Sequence, residues 1–170
     1  MQRLFFALWP NEEVRAAIFA LSSDLPLKTG RRVRPDNLHI TLVFLGNVHA
    51  EMRACVEAIA DDLTATAFDL QLDTLGWWSK PRVLWLAPSR VPQELSALAA
   101  RLGTGIARCG QSLDKREYRP HMTLVRKVNR PLRLGKINMI TWRARHFCLI
   151  RSKTEPMGVV YEMVKSWQLH

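Results

Sequence analysis

Asn37-Leu38-His39-Ile40-Thr41-Leu42-Val43 is the stretch on which the fold turns, because the chain carries it twice. The second copy is Arg119-Pro120-His121-Met122-Thr123-Leu124-Val125. Both read His-apolar-Thr-Leu-Val, and the two histidines stand 82 residues apart in a chain of 170. In a β-strand, residues i and i+2 share a face. Each copy therefore sets an imidazole beside a hydroxyl on one face and turns apolar residues to the other. Strict alternation assigns Leu38, Ile40, Leu42 and Phe44 to the buried face of the first strand, and Met122 and Leu124 to that of the second.

Outward from these strands the pattern is mixed. The aromatic-rich run at 3–9 reads as a buried strand, and Pro10-Asn11-Glu12-Glu13 supplies a cap and two acids for a helix with Val14, Ala17, Ile18, Leu21 and Leu25 on one face. A basic loop, Arg31-Arg32-Val33-Arg34-Pro35, leads into a strand at 38–45, and a second helix is expected at 50–63. Residues 68–73 alternate with period two, and 82–87 is their expected neighbour. Pro92 opens a third helix that Gly103 and Gly105 weaken by about 1 kcal/mol each relative to alanine. A strand at 120–126, a loop to about Ala144, and strands at 146–151 and 159–167 complete the chain. The order β-α-β-α-β-β-α-β-β-β lacks regular βαβ alternation, so an α+β fold with largely antiparallel sheets is expected over residues 1–170 as a single domain.

Composition bounds the function. A net charge of +10 favours a polyanionic partner. No apolar stretch approaches the roughly 18–20 residues that span a bilayer, and the short run at 3–9 ends at Trp9-Pro10 without a cleavage site, so no membrane association is expected. Three cysteines, Cys55, Cys109 and Cys148, form no Cys-x-x-Cys pair. That odd number argues against a disulfide framework and fits the cytoplasm.

The two motifs carry the chemistry. Facing each other, they offer two groups that titrate near pH 6.5 and two hydroxyl donors around one small anion. Cleaving a phosphodiester without metal needs one histidine as base toward water and the other as acid toward the leaving alkoxide, with hydroxyls and arginines on the phosphoryl oxygens. One histidine in a strand is ordinarily a hydrogen-bonded or surface residue, which is how His49, His146 and His170 are read; duplication sets His39 and His121 apart. Zinc is the chemical rival for a histidine pair, but neither has a His-x-x-x-His, Cys-x-x-Cys or carboxylate companion, so no metal is expected.

These residues resemble the two-histidine phosphoesterase superfamily, whose signature is a pair of His-x-Thr motifs. Arg3-Leu4-Phe5-Phe6-Ala7, Asp36-Asn37-Leu38-His39-Ile40-Thr41-Leu42 with Phe44-Leu45-Gly46, and Arg119-Pro120-His121-Met122-Thr123-Leu124 look like its RNA 2′,3′-cyclic phosphodiesterases, also called 2′-5′ RNA ligases (LigT-like). The resemblance implies a bilobal fold: two pseudo-symmetric antiparallel sheets, helices outside, flanking a central basic cleft. It implies hydrolysis of RNA 2′,3′-cyclic phosphate ends to 2′-phosphates, and 2′-5′ ligation in reverse. His39 is then the proton donor, His121 the proton acceptor, and Thr41, Thr123 and Arg126 bind the phosphate, with no cofactor. Alternation sets Arg126 opposite His121, so its role requires the strand to bulge after Val125 or twist. Phe5, Trp77 and Trp78 could stack a base, against a core reading for most of them, and Arg31, Arg32, Arg34, Lys80 and Arg82 could line the cleft rim. A monomer without an obligate protein partner is expected, since the duplicated chain supplies both halves of its site. The alternatives are a phosphodiesterase for 2′-5′ oligonucleotides or a cyclic ADP-ribose phosphate, and a non-catalytic RNA-binding module.

Overall fold

A computed structural model describes residues 1–112, 116–129, 134–156 and 158–170. Among them, nine strands and three helices form: β1 (Gln2–Leu8), α1 (Glu12–Asp24), β2 (Arg31–Arg32), β3 (Ile40–Val48), α2 (Ala50–Asp61), β4 (Phe68–Trp78), β5 (Val83–Pro88), α3 (Gln93–Arg108), β6 (Met122–Arg126), β7 (Ile140–Ala144), β8 (His146–Glu155) and β9 (Gly158–Gln168). A 3-10 turn, Pro35–Asn37, leads into the first motif. All described pairings are antiparallel, in the order β7-β4-β5-β6-β3-β1-β8-β9, with β2 paired to β6.

The two lobes are the halves of that path. Four strands, β3-β1-β8-β9, make one half and four, β6-β5-β4-β7, the other. They meet at a single residue pair, Ile40 with Met122. These are the middle residues of the two motifs, and each is 0% exposed. The strands start side by side there and run apart, so the local pseudo-twofold passes between Ile40 and Met122. Most buried residues of both halves join one core cluster, from Leu4 and Leu149 to Leu70 and Trp142, and Phe5, Ala7, Cys148 and Ile150 form a small second cluster. Helix α1 follows a strand of the first half but packs on β6 and β7, whereas α3 follows β5 and packs on β3 and α2.

Local chemistry accounts for the helices. Asn11 caps α1 by accepting the Val14 amide at 2.9 Å, and Glu12 and Glu13 occupy the positive end of the helix. Its buried face is Val14, Ile18 and Ser22, while Ala17 is exposed. Gly105 has a packing reason to sit in α3: a side chain there would meet Ile59 of α2.

Several expectations need correction. The stretch expected to be loop up to Ala144 contains β7, which pairs with β4 through Leu70 and Trp142; the part of that loop at 130–133 lies outside the described residues. Arg31 and Arg32 of the basic loop are the short strand β2. Cys55 and Cys109 form a disulfide that ties α2 to the C-terminus of α3, Cα to Cα 6.0 Å, leaving Cys148 as the free, buried thiol. Cysteine spacing could not reveal it, because the pair meets only through the packing of the two helices.

Candidate active site

His39 and His121 each precede the residue that bridges the lobes. Ile40 and Met122 point into the common core, so alternation turns His39, Thr41, His121 and Thr123 to the opposite side, where all four are half-buried. The rings are anchored alike. His39 Nδ1 lies 2.7 Å from the carbonyl of Asn37, and His121 Nδ1 lies 2.8 Å from that of Arg119, in each case two residues upstream. A carbonyl only accepts, so Nδ1 carries the proton and donates, leaving Nε2 as the reactive nitrogen of both neutral rings. Tyr118 braces the arrangement across the lobes by donating its phenol to the Thr41 carbonyl at 3.2 Å.

Both motif strands bulge at the leucine after the threonine. Thr123 and Val125 of β6 oppose the successive residues Trp85 and Leu84 of β5, so Leu124 is the extra residue. Likewise Thr41 and Val43 oppose Ala7 and Phe6 of β1, and Leu42 is extra. A bulge shifts the alternation by one. Leu124 and Val125 are therefore both buried, and Arg126 emerges exposed on the His121 side. This removes the objection that alternation raised against Arg126. The same shift corrects the placement of Phe44: it is 49% exposed, on the His39 side, rather than in the apolar face of β3. Phe44 and Arg126 are thus equivalent positions, each five residues after its histidine.

Electrostatics favour neutral imidazoles in the free protein. Burial drives His39 down to about 4, against the pull of its Asn37 carbonyl bond; the charges of Arg126 and His121 act in the same downward direction. His121 is also lowered, by burial and then by Arg126, with the Arg119 carbonyl opposing. Arg126 therefore acts on both rings, and the two rings are within electrostatic reach of each other. Desolvation of His39 comes from an aromatic shell that spacing gave no sign of. Phe5, Trp9 and Tyr161 surround it with ring centroids at 4.9, 5.6 and 5.1 Å. His121 has Trp78 edge-on at 4.5 Å, and Trp78 leans on Trp85, whose ring fills the space left by Gly76.

The other flagged residues divide. Phe5 is 3% exposed and packed on His39, so its ring is covered. Trp77 packs on the core and donates its indole NH to the Val128 carbonyl at 3.3 Å, and Trp78 belongs to the His121 side. Arg32 is structural: it donates to the carbonyls of Ser22, Ser23 and Leu25 at the end of α1. Arg34 pairs with Asp36, and Arg82 donates to Asn129. Arg31 is the backbone partner of Arg126 and reaches the β8–β9 turn, where a side chain at Gly158 would meet its guanidinium. Lys80 stays exposed in the β4–β5 turn.

Known proteins are similar to this chain along its whole length. An Escherichia coli K12 protein named RNA 2′,3′-cyclic phosphodiesterase is 34% identical over 170 residues, covering 99% of this chain and 97% of that one. The crystal structure of E. coli LigT complexed with 3′-AMP superposes with a TM-score of 0.94 at 34% identity, covering 99% of this chain and 98% of that chain. A Thermus thermophilus crystal structure follows at TM-score 0.84 and 26% identity, covering 98% and 97%. With the pattern of the 2′-5′ RNA ligase superfamily matched over residues 10–155, this chain belongs to that superfamily.

Proposed function

We propose that the chain hydrolyses 2′,3′-cyclic phosphate ends of RNA to 2′-phosphates, with His39 and His121 as its acid and base. One observation carries the reading: two imidazoles with matching Nδ1–carbonyl anchors flank the bridge between the lobes, within electrostatic reach of one arginine. The names of the relatives point to the same substrate.

His121 takes a proton from water through Nε2 as the oxygen attacks phosphorus. The bond from phosphorus to the ribose 3′-oxygen breaks, and His39 protonates that oxygen, leaving a 2′-phosphate and a 3′-hydroxyl. Thr41, Thr123 and Arg126 hold the phosphoryl oxygens as charge builds on them. A histidine held near 4 is neutral at pH 7 in the free protein, so His39 must acquire its proton with the substrate. A phosphate anion beside Arg126 offsets the guanidinium charge and favours imidazolium, which supplies that proton uptake. With an RNA 5′-hydroxyl in place of water, the same groups join two ends by a 2′-5′ bond. We place this activity in a monomer without an obligate protein partner, supported by the presence of both half-sites in one chain; among the described residues no helix is long and apolar enough to cross a membrane.

The test is RNA carrying a 2′,3′-cyclic end, incubated with the protein in EDTA. A 2′-phosphate product is expected, with the rate lowered about 10²- to 10⁴-fold by His39→Ala or His121→Ala and little further by both together. Activity lost in EDTA and regained with zinc or manganese, or near-normal turnover by either variant, overturns the mechanism.

A further inference from the structure

The duplicated halves differ in chemical character at the position five residues after the histidine. Arg126 occupies it in one lobe and Phe44 in the other, and the bulges bring both to the histidine side of the sheet. An arginine there can hold phosphate; a phenyl ring cannot. Phe44 is nonetheless 49% exposed, and its strand partner Phe5 packs directly on His39, so the ring is continuous with the site. The Arg3 guanidinium lies 5.1 Å from the centroid of the Phe44 ring. The floor continues across the lobe: Val159 and Met163 of β9, 38% and 48% exposed, share a sheet face with Tyr161, which packs on His39. Three large apolar side chains left open on the histidine face of the sheet make a surface suited to flat apolar groups.

Phe44 stands three residues beyond Thr41, about 10 Å along the strand. That is too far for the ribose bearing the cyclic phosphate and suits the next nucleotide along. We propose that Phe44, with Arg3 packed on its ring, stacks the nucleobase one position upstream of the cyclic phosphate. The site then favours RNA ends of two or more nucleotides over 2′,3′-cyclic mononucleotides. Arg3 rigidifies the ring from one side and adds positive charge where the phosphodiester backbone must pass. Stacking on an aromatic side chain is worth about 1–3 kcal/mol per base, or roughly 5- to 150-fold in affinity, and is sequence-tolerant. The subsite rests on the phosphodiesterase reading above.

The experiment measures kcat/KM for a cyclic-phosphate-ended dinucleotide and for a 2′,3′-cyclic mononucleotide with the same terminal base. The wild-type protein should favour the dinucleotide, Phe44→Ala should cut the ratio about 10-fold, and Phe44→Trp should restore it. Arg3→Gln should lower the ratio by a smaller factor. Because Phe44 is half open to solvent, thermal melts of the variants should superpose on wild type. A wild-type ratio near one, a ratio unmoved by Phe44→Ala, or an equal fall for both substrates overturns the subsite while leaving the phosphodiesterase reading standing. If the wild-type protein turns over neither substrate, both fall together.

Discussion

Two histidines dominate the residue scale, and their state sets how the protein answers to acid. An unfolded chain binds a proton on histidine near 6.5, whereas His39 in the folded chain does so only at about 4, and His121 is shifted in the same direction. Between those values the unfolded state binds more protons, so stability is fully present above pH 6.5 and falls as pH drops toward 4. The carboxylates held low by ion pairs or hydrogen bonds, Asp61, Asp73 and Glu162, begin to release their contributions as pH falls through the ordinary carboxylate range, which leaves about pH 5 to 6.5 to the histidines. Denaturant titrations across that window should show stability roughly 2 kcal/mol lower at pH 5 than at pH 7. His39→Gln should remove most of that slope; if the slope is the same in wild type and variant, His39 is not the buried neutral group described here. The histidines were legible in the sequence because duplication singled them out. Their aromatic shell was not, because Trp9, just past β1, and Tyr161 of β9 reach His39 from opposite ends of the chain.

At the scale of elements, the instructive failures come from assuming regular strands. Strict alternation misplaced Phe44 and made Arg126 look misdirected; both errors share one cause, a bulge after each threonine. A bulge shows only in pairing, and no residue type in Thr-Leu-Val demands one. Strand β7 was missed for a related reason. Its alternation of Ile140, Trp142 and Ala144 is short, and its partner β4 lies some seventy residues upstream, so no hairpin turn marks it. Gly105 shows the opposite case, where a residue counted against its helix is what allows the helix to dock. Gly105→Ala drives a methyl into Ile59, and overpacking of that kind costs about 1–3 kcal/mol. Helix propensity alone makes alanine better than glycine by about 1 kcal/mol, so the two effects oppose each other. Urea denaturation should show net destabilisation by Gly105→Ala in the wild-type background and stabilisation once Ile59→Ala makes room. Stabilisation in both backgrounds would mean that α2 and α3 do not approach as closely as described.

Over the whole molecule, the family resemblance implied two similar lobes, and what it could not show is how few strand pairings join them. One ladder pair, Ile40 with Met122, joins the two four-stranded halves within the sheet, and Leu169 and His170 beyond β9 add backbone hydrogen bonds to Arg145, Ala65 and Ala67. Such a link would let the lobes move independently if each had its own core. Here Ile40, Met122 and most buried residues of both halves belong to one cluster, and α1 and α3 each pack on the half opposite to the strand they follow. Neither half therefore keeps its apolar cover when the other unfolds, and unfolding should be a single cooperative step. Tryptophans sit in both lobes, Trp142 on β7 and Trp167 on β9, so fluorescence follows each of them while far-UV circular dichroism follows the backbone. Of the six tryptophans, Trp142 is replaced by phenylalanine in one variant and Trp167 in another, and the difference from wild type isolates the signal of each lobe. Urea curves from the two variants should each coincide with their own circular dichroism curves. Were Trp142 and Trp167 to report separate midpoints, the lobes would be independent units, and the distance between His39 and His121 would then be set by a flexible hinge rather than by the shared core.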